Sequence, residues 1–143
     1  MEHLKYWVNN LMDSLETEVD EETSRKIIEK CGRICAKECG AINKVEEIKN
    51  NQKCSMDIDI LLEKMNQAGI GGGKLKREGS RIYGIYEKCY CPSRSLISNN
   101  NYCTCTQGWV KEVFEKVLEK SVDVTLEQAI ARGDKICKFR VEY

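Results

Sequence analysis

The sequence predicts an α+β fold in which N-terminal helices pack on a C-terminal antiparallel sheet that one helix interrupts. Apolar residues recur with helical spacing up to about residue 70, and after Gly71-Gly72-Gly73 they alternate as strand residues do. The 143 residues suit a single domain over 1–143, with a helical part (1–70) and a part of sheet and helix (71–143).

The first part begins with two amphipathic helices. Apolar side chains spaced i, i+3, i+4 and i+7 predict the first helix over about 2–17. The second helix is expected to begin at a cap formed by Thr23 or Ser24, and Gly40 is expected to end it.

A third helix is predicted over about 56–68. Ser55 or Asp57 can cap its N-terminus, and Gly69 can end it. The residues expected to be buried are Ile60, Leu61 and Met65.

The second part is predicted to contain a hairpin, one helix and two more strands. The hairpin turns at Glu78-Gly79-Ser80, which is rich in turn-forming residues. The remaining predicted elements are an extended piece at 102–105, a helix from Trp109 to Leu118, and strands near 122–126 and 137–141.

Composition excludes several classes of partner. Lys+Arg and Asp+Glu number 23 each, so no global charge attracts nucleic acid or an acidic membrane. The basic excess over 74–94 is interpreted as a solvated hairpin, with a weak anion site as the alternative. No apolar run approaches a membrane span, and the first residues do not resemble a signal peptide. We therefore expect a cytoplasmic protein with no nucleic-acid partner.

Nine cysteines are the strongest chemical signal in the chain. An odd count without a secretory signal argues against a full disulfide framework. Binding of a metal, redox chemistry and simple packing all remain possible roles for these thiols.

Two Cys-x-Cys pairs, Cys89/Cys91 and Cys103/Cys105, are the candidate metal ligands. In an extended segment, residues i and i+2 share a face, so each pair can project two sulfurs together. Four thiolates suit the tetrahedral preference of zinc. The alternative is that these cysteines are reduced and serve as small core residues.

A second group, Cys31, Cys35 and Cys39, repeats at intervals of four along the second helix. This spacing predicts a stripe of small core residues. The alternative is that Cys31 or Cys35 lines a pocket or contributes a metal ligand. Gly32 lowers helix propensity, so we expect a backbone or a ligand to approach it closely.

Cys105 could also be a nucleophile, because it directly precedes a helix whose dipole would lower the pKa of a thiol. A nucleophile normally needs a base, and the only histidine is His3. A binding module is therefore favoured over an enzyme, with a thiol-dependent hydrolase or redox enzyme as the alternative.

From Cys89 onward the chain resembles the vinyl-reductase-type (hydrocarbon-binding) domain and small cysteine-rich proteins related to aminothiazoline-carboxylate hydrolases. The shared features lie within residues 79–143. They are Cys89-x-Cys91-Pro92, Tyr102-Cys-Thr-Cys-Thr-Gln-Gly108-Trp109, Phe114, Val122-x-Val124, Glu127 and Gly133-Asp134-x-x-Cys137-x-Phe139-x-Val141.

The resemblance implies an α+β fold shared with vesicle-tethering subunits and a cavity for a small apolar or aromatic molecule. It also implies zinc beside that cavity in members that sense aromatic compounds. Two family ligands match the Cys103/Cys105 region and Cys137, but a third falls on Ala129. If zinc binds, Cys89 or Cys91 must therefore complete the set.

We accordingly expect a small-molecule-binding domain with a structural zinc site. Its pocket should lie between the Ile27–Cys39 helix and the C-terminal sheet, lined by Cys35, Trp109 and Phe139. A protein that forms a homodimer through its N-terminal helices is the remaining alternative.

Overall fold

The computed structural model describes residues 2–51 and 57–143. It confirms the α+β class, with helices mainly N-terminal and a sheet formed by the C-terminal part. The helices are α1 (Glu2–Thr17), α2 (Glu21–Glu38), α3 (Ala41–Asn50), α4 (Ile58–Gln67) and α5 (Cys105–Leu118). The strands are β1 (Lys76–Glu78), β2 (Arg81–Tyr86), β3 (Asp123–Gln128) and β4 (Cys137–Glu142).

The four strands form one antiparallel sheet in the order β1-β2-β4-β3. Gly84 lies opposite Phe139 in the β2–β4 ladder. A Cβ atom on Gly84 would lie 2.1 Å from the Phe139 ring, so the missing side chain makes room for that ring on the sheet. The ring is fully buried beneath α5, where it packs against Phe114.

Helix α5 is the centre of the core because it packs against both the other helices and the sheet. Its apolar side chains are spaced as a helical stripe and are almost completely buried: Val110, Val113, Phe114 and Val117. Across from them, the sheet contributes Ile82, Phe139 and Val141. None of the helices in the described ranges is long and apolar enough to cross a bilayer.

The predicted bounds of α1 are confirmed, whereas the start of α2 is earlier than predicted. Asp20 precedes the first helical residue, Glu21, so neither Thr23 nor Ser24 is the cap. Gly40 ends α2 as predicted, and its φ of 86° lets the chain turn directly into α3. The sequence analysis missed α3 because its buried stripe consists of only Ala41 and Val45.

For α4, the cap is Asp57, whose carboxylate accepts hydrogen bonds from the backbone N–H groups of Asp59 and Ile60. The other predicted cap, Ser55, lies outside the described residues. Ile60 was wrongly predicted to be buried, since it is 41 % exposed. Leu62 takes that place in the core beside Leu61 and Met65, and Gly69 ends the helix with a φ of 75°.

The prediction of an extended piece at 102–105 is wrong. A 3₁₀ turn, Asn100–Thr104, runs directly into α5. The Asn99 side chain accepts a hydrogen bond from the Asn101 N–H and so starts helical geometry five residues before Cys105. In helical geometry, residues i and i+2 do not share a face, so Cys103 and Cys105 point in different directions.

Candidate functional site

The site is built where α2 and α5 approach each other most closely. A Cβ atom on Gly32 of α2 would lie 1.7 Å from the Cys105 carbonyl oxygen, and one on Gly108 would lie 1.7 Å from the Glu29 carbonyl oxygen. Both positions therefore require glycine. The close neighbour expected at Gly32 is confirmed to be a backbone, and Gly108 is its counterpart on α5.

This approach brings Cys105 against the face of α2 that carries Cys31 and Cys35. Burial is the main cause that raises the pKa of the Cys105 thiol to about 12. Neighbouring thiols reinforce the rise, and together with Cys105 we call them the cysteine cluster: Cys91, Cys103, Cys35 and Cys31. The direction is opposite to that expected for a thiol at a helix N-terminus, because burial and the neighbouring thiols disfavour the thiolate.

The loop after β2 brings Cys91 into the cysteine cluster and places Cys89 near it. Cys91 helps to raise the pKa of Cys35, after burial and Cys39, so the loop lies beside α2. Cys89 lies near Cys103, whose pKa is raised mainly by burial. Arg94 lies near Cys89, and the interaction with this thiol is the main cause that raises the pKa of the guanidinium.

The cysteines of α2 do not form the predicted core stripe. Cys31, Cys35 and Cys39 are all exposed. The buried face of α2 is instead the adjacent one, which carries Ser24, Ile28, Glu29, Gly32 and Ala36. Among these residues, Gly32 lets α5 pack closely, and the thiols lie at the margin of the contact.

A zinc site needs several Cys, His, Asp or Glu side chains around one point. Within residues 2–51 and 57–143, no three Cys, His, Asp or Glu side chains are arranged to hold a metal ion. Cys137, a predicted ligand, accepts a hydrogen bond from the Ile130 N–H at 3.3 Å. Ala129, where the resemblance implies a third ligand, has no side-chain atom that could bind a metal. The described residues therefore show no assembled zinc site, and zinc stays a prediction.

The residues predicted to line a pocket are spread over different environments. Trp109 is half-buried on α5, Cys35 is exposed, and Phe139 is fully buried with Tyr86 and Phe114 around its ring. Two clefts of the described surface lie elsewhere. One, of about 510 Å³, lies between α4 and β1, and the other, of about 280 Å³, lies at the end of β4.

Tyr102 was not predicted to have a role of its own, since it entered only as the first residue of the motif that ends at Trp109. It is 5 % exposed, yet its hydroxyl has no hydrogen-bond partner in the described ranges 2–51 and 57–143. The Cys103 thiol lies beside the hydroxyl and interacts with it, but sulfur is a weak hydrogen-bond acceptor, so the hydroxyl lacks a strong partner there. Burial and the thiols of Cys103, Cys91 and Cys89 raise the pKa of Tyr102, so the hydroxyl keeps its proton.

A buried ionic network fixes the site from the other side, and the sequence analysis missed it as well. The Glu29 carboxylate, 6 % exposed, accepts hydrogen bonds from Lys111 at 3.0 Å and from Arg25 and Gln107 at 3.2 Å. Gln107 in turn accepts from the Leu126 N–H at 3.1 Å. The network therefore connects α2 through α5 to β3. A glutamate next to Ile28 on the buried face was the available signal.

The chain matches one protein family over nearly its whole length. The model of a family described as "Family of unknown function (DUF6144)" matches residues 1–142. No curated protein matches the chain.

Two solved structures share the fold at low identity. A trafficking protein particle complex subunit 3 from Naegleria fowleri, covalently bound to palmitic acid, has a TM-score of 0.53 and 12 % identity over 99 % of this chain and 96 % of that one. The phenol-responsive sensory domain of the transcription activator PoxR, with phenol, has a TM-score of 0.57 and 11 % identity over 96 % and 73 %.

Proposed function

We propose that this chain, which belongs to the DUF6144 family, binds a small, mostly apolar molecule through one polar group beside the cysteine cluster. The observation that carries the proposal is the buried hydroxyl of Tyr102, which has no hydrogen-bond partner among the residues that the structure describes. An unsatisfied buried hydroxyl is costly, and a ligand that pairs with it removes this cost.

The chemistry around Tyr102 selects the class of ligand. Cys103 and Cys105 are protonated at neutral pH because their pKa values are raised, so they present small, uncharged and polarisable surfaces. A ligand here needs one hydrogen-bonding group for the Tyr102 hydroxyl and an apolar body for the thiols. Phenol, which the PoxR sensory domain binds, has this composition and supports the proposal.

Entry to the site requires the loop 87–99 to move, since Tyr102 and Cys103 are buried. This loop has no regular secondary structure apart from turns. Asn9 of α1 holds it through hydrogen bonds to the Leu96 carbonyl at 2.9 Å and the Ser98 N–H at 2.8 Å. We infer that the ligand enters between this loop and α2.

The test is a titration with phenol and with toluene, followed by the amide signals in a ¹H–¹⁵N spectrum. We expect saturable phenol-induced shifts at residues 89–91 and 102–105. Tyr102→Phe should weaken phenol binding about tenfold, the loss of one hydrogen bond of about 1.4 kcal/mol, and leave toluene binding unchanged. The matched control is Tyr90→Phe, because Tyr90 is 69 % exposed. Shifts confined to other regions, or equal effects of both variants, would contradict the proposal.

The same variant gives a second prediction in the absence of ligand. Tyr102→Phe should leave the free energy of unfolding unchanged or raise it by about 1 kcal/mol, because the hydroxyl has no native partner to lose. Chemical denaturation measures this. A loss of more than 1 kcal/mol would mean that the hydroxyl is hydrogen bonded in the native protein.

We also propose that the chain belongs to the hydrocarbon-binding superfamily and that it holds a structural zinc ion. These two proposals are separate from each other. Elemental analysis of protein purified without added metal tests the zinc directly. One zinc per chain that is lost in Cys103→Ser but kept in Cys39→Ser would support a site in the cysteine cluster, because Cys39 is exposed and lies outside that cluster. Protein that contains no zinc would contradict the proposed ion. An enzyme that uses Cys105 as nucleophile is disfavoured, because its raised pKa leaves little thiolate at neutral pH.

A further inference from the structure

Helix α1 carries an apolar stripe that residues 2–51 and 57–143, the described part of the chain, leave exposed. Leu4, Trp7 and Leu11 recur at i, i+3 and i+7 and are 46 %, 58 % and 46 % exposed. In this helix the buried side chain is Met12, which lies to one side of the stripe. An amphipathic helix gains most of its stability from packing such a face, so α1 as described is only half packed.

The stripe lies on a face of α1 that carries no charged side chain. At 100° per residue, the neighbours of Trp7 on this face are His3, Asn10 and Ser14. All the Asp, Glu, Lys and Arg residues of the helix fall on the opposite half: Glu2, Lys5, Asp13 and Glu16. Depletion of charge from an exposed apolar patch is typical of the core of a protein interface. By contrast, charged residues make up 32 % of the whole chain.

We propose that this face binds the same face of a second copy of the chain, with the two α1 helices antiparallel about a two-fold axis near Trp7. The leucines lie three residues before and four residues after Trp7. The two-fold pairing therefore places Leu4 of each copy opposite Leu11 of the other. Near such an axis every residue approaches its own copy, and an uncharged face avoids the repulsion this would otherwise cause.

A membrane surface fits the stripe less well. Helices that lie on anionic lipid carry Lys and Arg beside the apolar face, whereas α1 has one lysine and three acidic residues. A pair of four-turn helices is at the small end of specific interfaces, so we expect a dissociation constant in the micromolar range.

Sedimentation equilibrium from low micromolar to several hundred micromolar chain tests the proposal. The wild type should show a monomer–dimer equilibrium, and Trp7→Glu should raise the dissociation constant at least tenfold. The matched control is Tyr6→Glu on the same helix, because Tyr6 is 64 % exposed but lies off the stripe. This variant should dimerise as the wild type does.

The register has its own test. Leu4→Glu and Leu11→Lys should each weaken the dimer, and the double variant should recover it, because the antiparallel pairing places each new carboxylate opposite a new ammonium. A parallel pairing would give no recovery.

Three outcomes would overturn the proposal. They are a wild type that stays monomeric throughout, equal effects of Trp7→Glu and Tyr6→Glu, and a monomer that sediments with phosphatidylglycerol vesicles through Trp7. Unfolding curves of both variants show that loss of the dimer is not loss of the fold. The proposal does not depend on the ligand site.

Discussion

Gly32 sets the distance between α2 and α5, since any side chain there would overlap the backbone at Cys105. Its role was predicted because glycine is unfavourable inside a helix and needs a local reason. Gly108 does the same on α5 but lies near the start of its helix, where glycine is unremarkable in a sequence. The sequence therefore indicated one side of the contact and not its partner.

The first prediction at the residue scale is the cost of filling this contact. Gly32→Ala should lower the free energy of unfolding by at least about 2 kcal/mol, because the backbone must move to admit the methyl group. Helix propensity alone would give the opposite sign, a gain of about 1 kcal/mol. Lys30→Ala, at an exposed position of the same helix, should have little effect. A stabilised Gly32→Ala protein would exclude the close approach.

The second prediction at the residue scale concerns the protonation of Cys105. Its pKa is raised from 9.0 to about 12, so the folded state binds the proton more tightly than the unfolded state does. The resulting stability is fully present below pH 9 and is lost progressively as the pH rises toward 12. Alkylation at pH 9 should therefore modify Cys31 rapidly and Cys105 only when the protein unfolds. Rapid labelling of Cys105 in the native protein would contradict the burial that raises its pKa.

At the scale of elements, charged side chains align α2 and α5. Arg33 donates to Glu112 at 2.9 Å and to Glu115 at 2.8 Å, one helical turn from the Glu29 network. Glu115 also accepts from the Val122 N–H at 3.2 Å, which fixes the chain as it leaves α5 for β3. The two helices were predicted from their apolar stripes, but their pairing was not, because the stripe assigned to α2 lies on its exposed face. The partners of these charges depend on helix rotation, which no pattern along the chain specifies.

The prediction at this scale is a difference between two glutamates of α2. Glu29→Gln should lower the free energy of unfolding by about 2 kcal/mol, because Lys111 would keep its charge in a mostly buried site without a carboxylate. Glu22→Gln removes an exposed pair with Lys26 and should cost less than about 0.5 kcal/mol. Urea denaturation of both variants measures the difference. Equal losses would mean that the Glu29 network is solvated.

The start of α5 shows where local reasoning about elements fails. The run Tyr102-Cys-Thr-Cys alternates as a strand does, and the pattern was interpreted in that way. The Asn99 cap and the packing of Tyr102 under α5 instead favour helical turns, and tertiary contacts decide between two weak local preferences. The predicted zinc geometry depended on that strand, so the error passed from the element to the site.

At the scale of the whole molecule, α5 packs on α2 and α3 on one side and on β3 and β4 on the other. We therefore expect the helical part and the sheet part to unfold together in a single transition. Tryptophan fluorescence can follow each part separately in two variants with one tryptophan each. In Trp109→Phe the signal comes from Trp7 in α1, and in Trp7→Phe it comes from Trp109 in α5. The two curves should coincide with far-UV circular dichroism. Separate midpoints would show that residues 1–70 and 71–143 are distinct units.

The position of α5 along the chain has a consequence for biosynthesis. The ribosome completes α2 about 80 residues before it completes α5, a delay of roughly 4–16 s at 5–20 residues per second. During that interval Glu29 has no Lys111 to pair with, and the groove around Gly32 is open to solvent. Until α5 is available, the nascent helices lack their main packing partner. We therefore expect newly made chains to be most accessible to chaperones and proteases before residue 118 emerges from the ribosome.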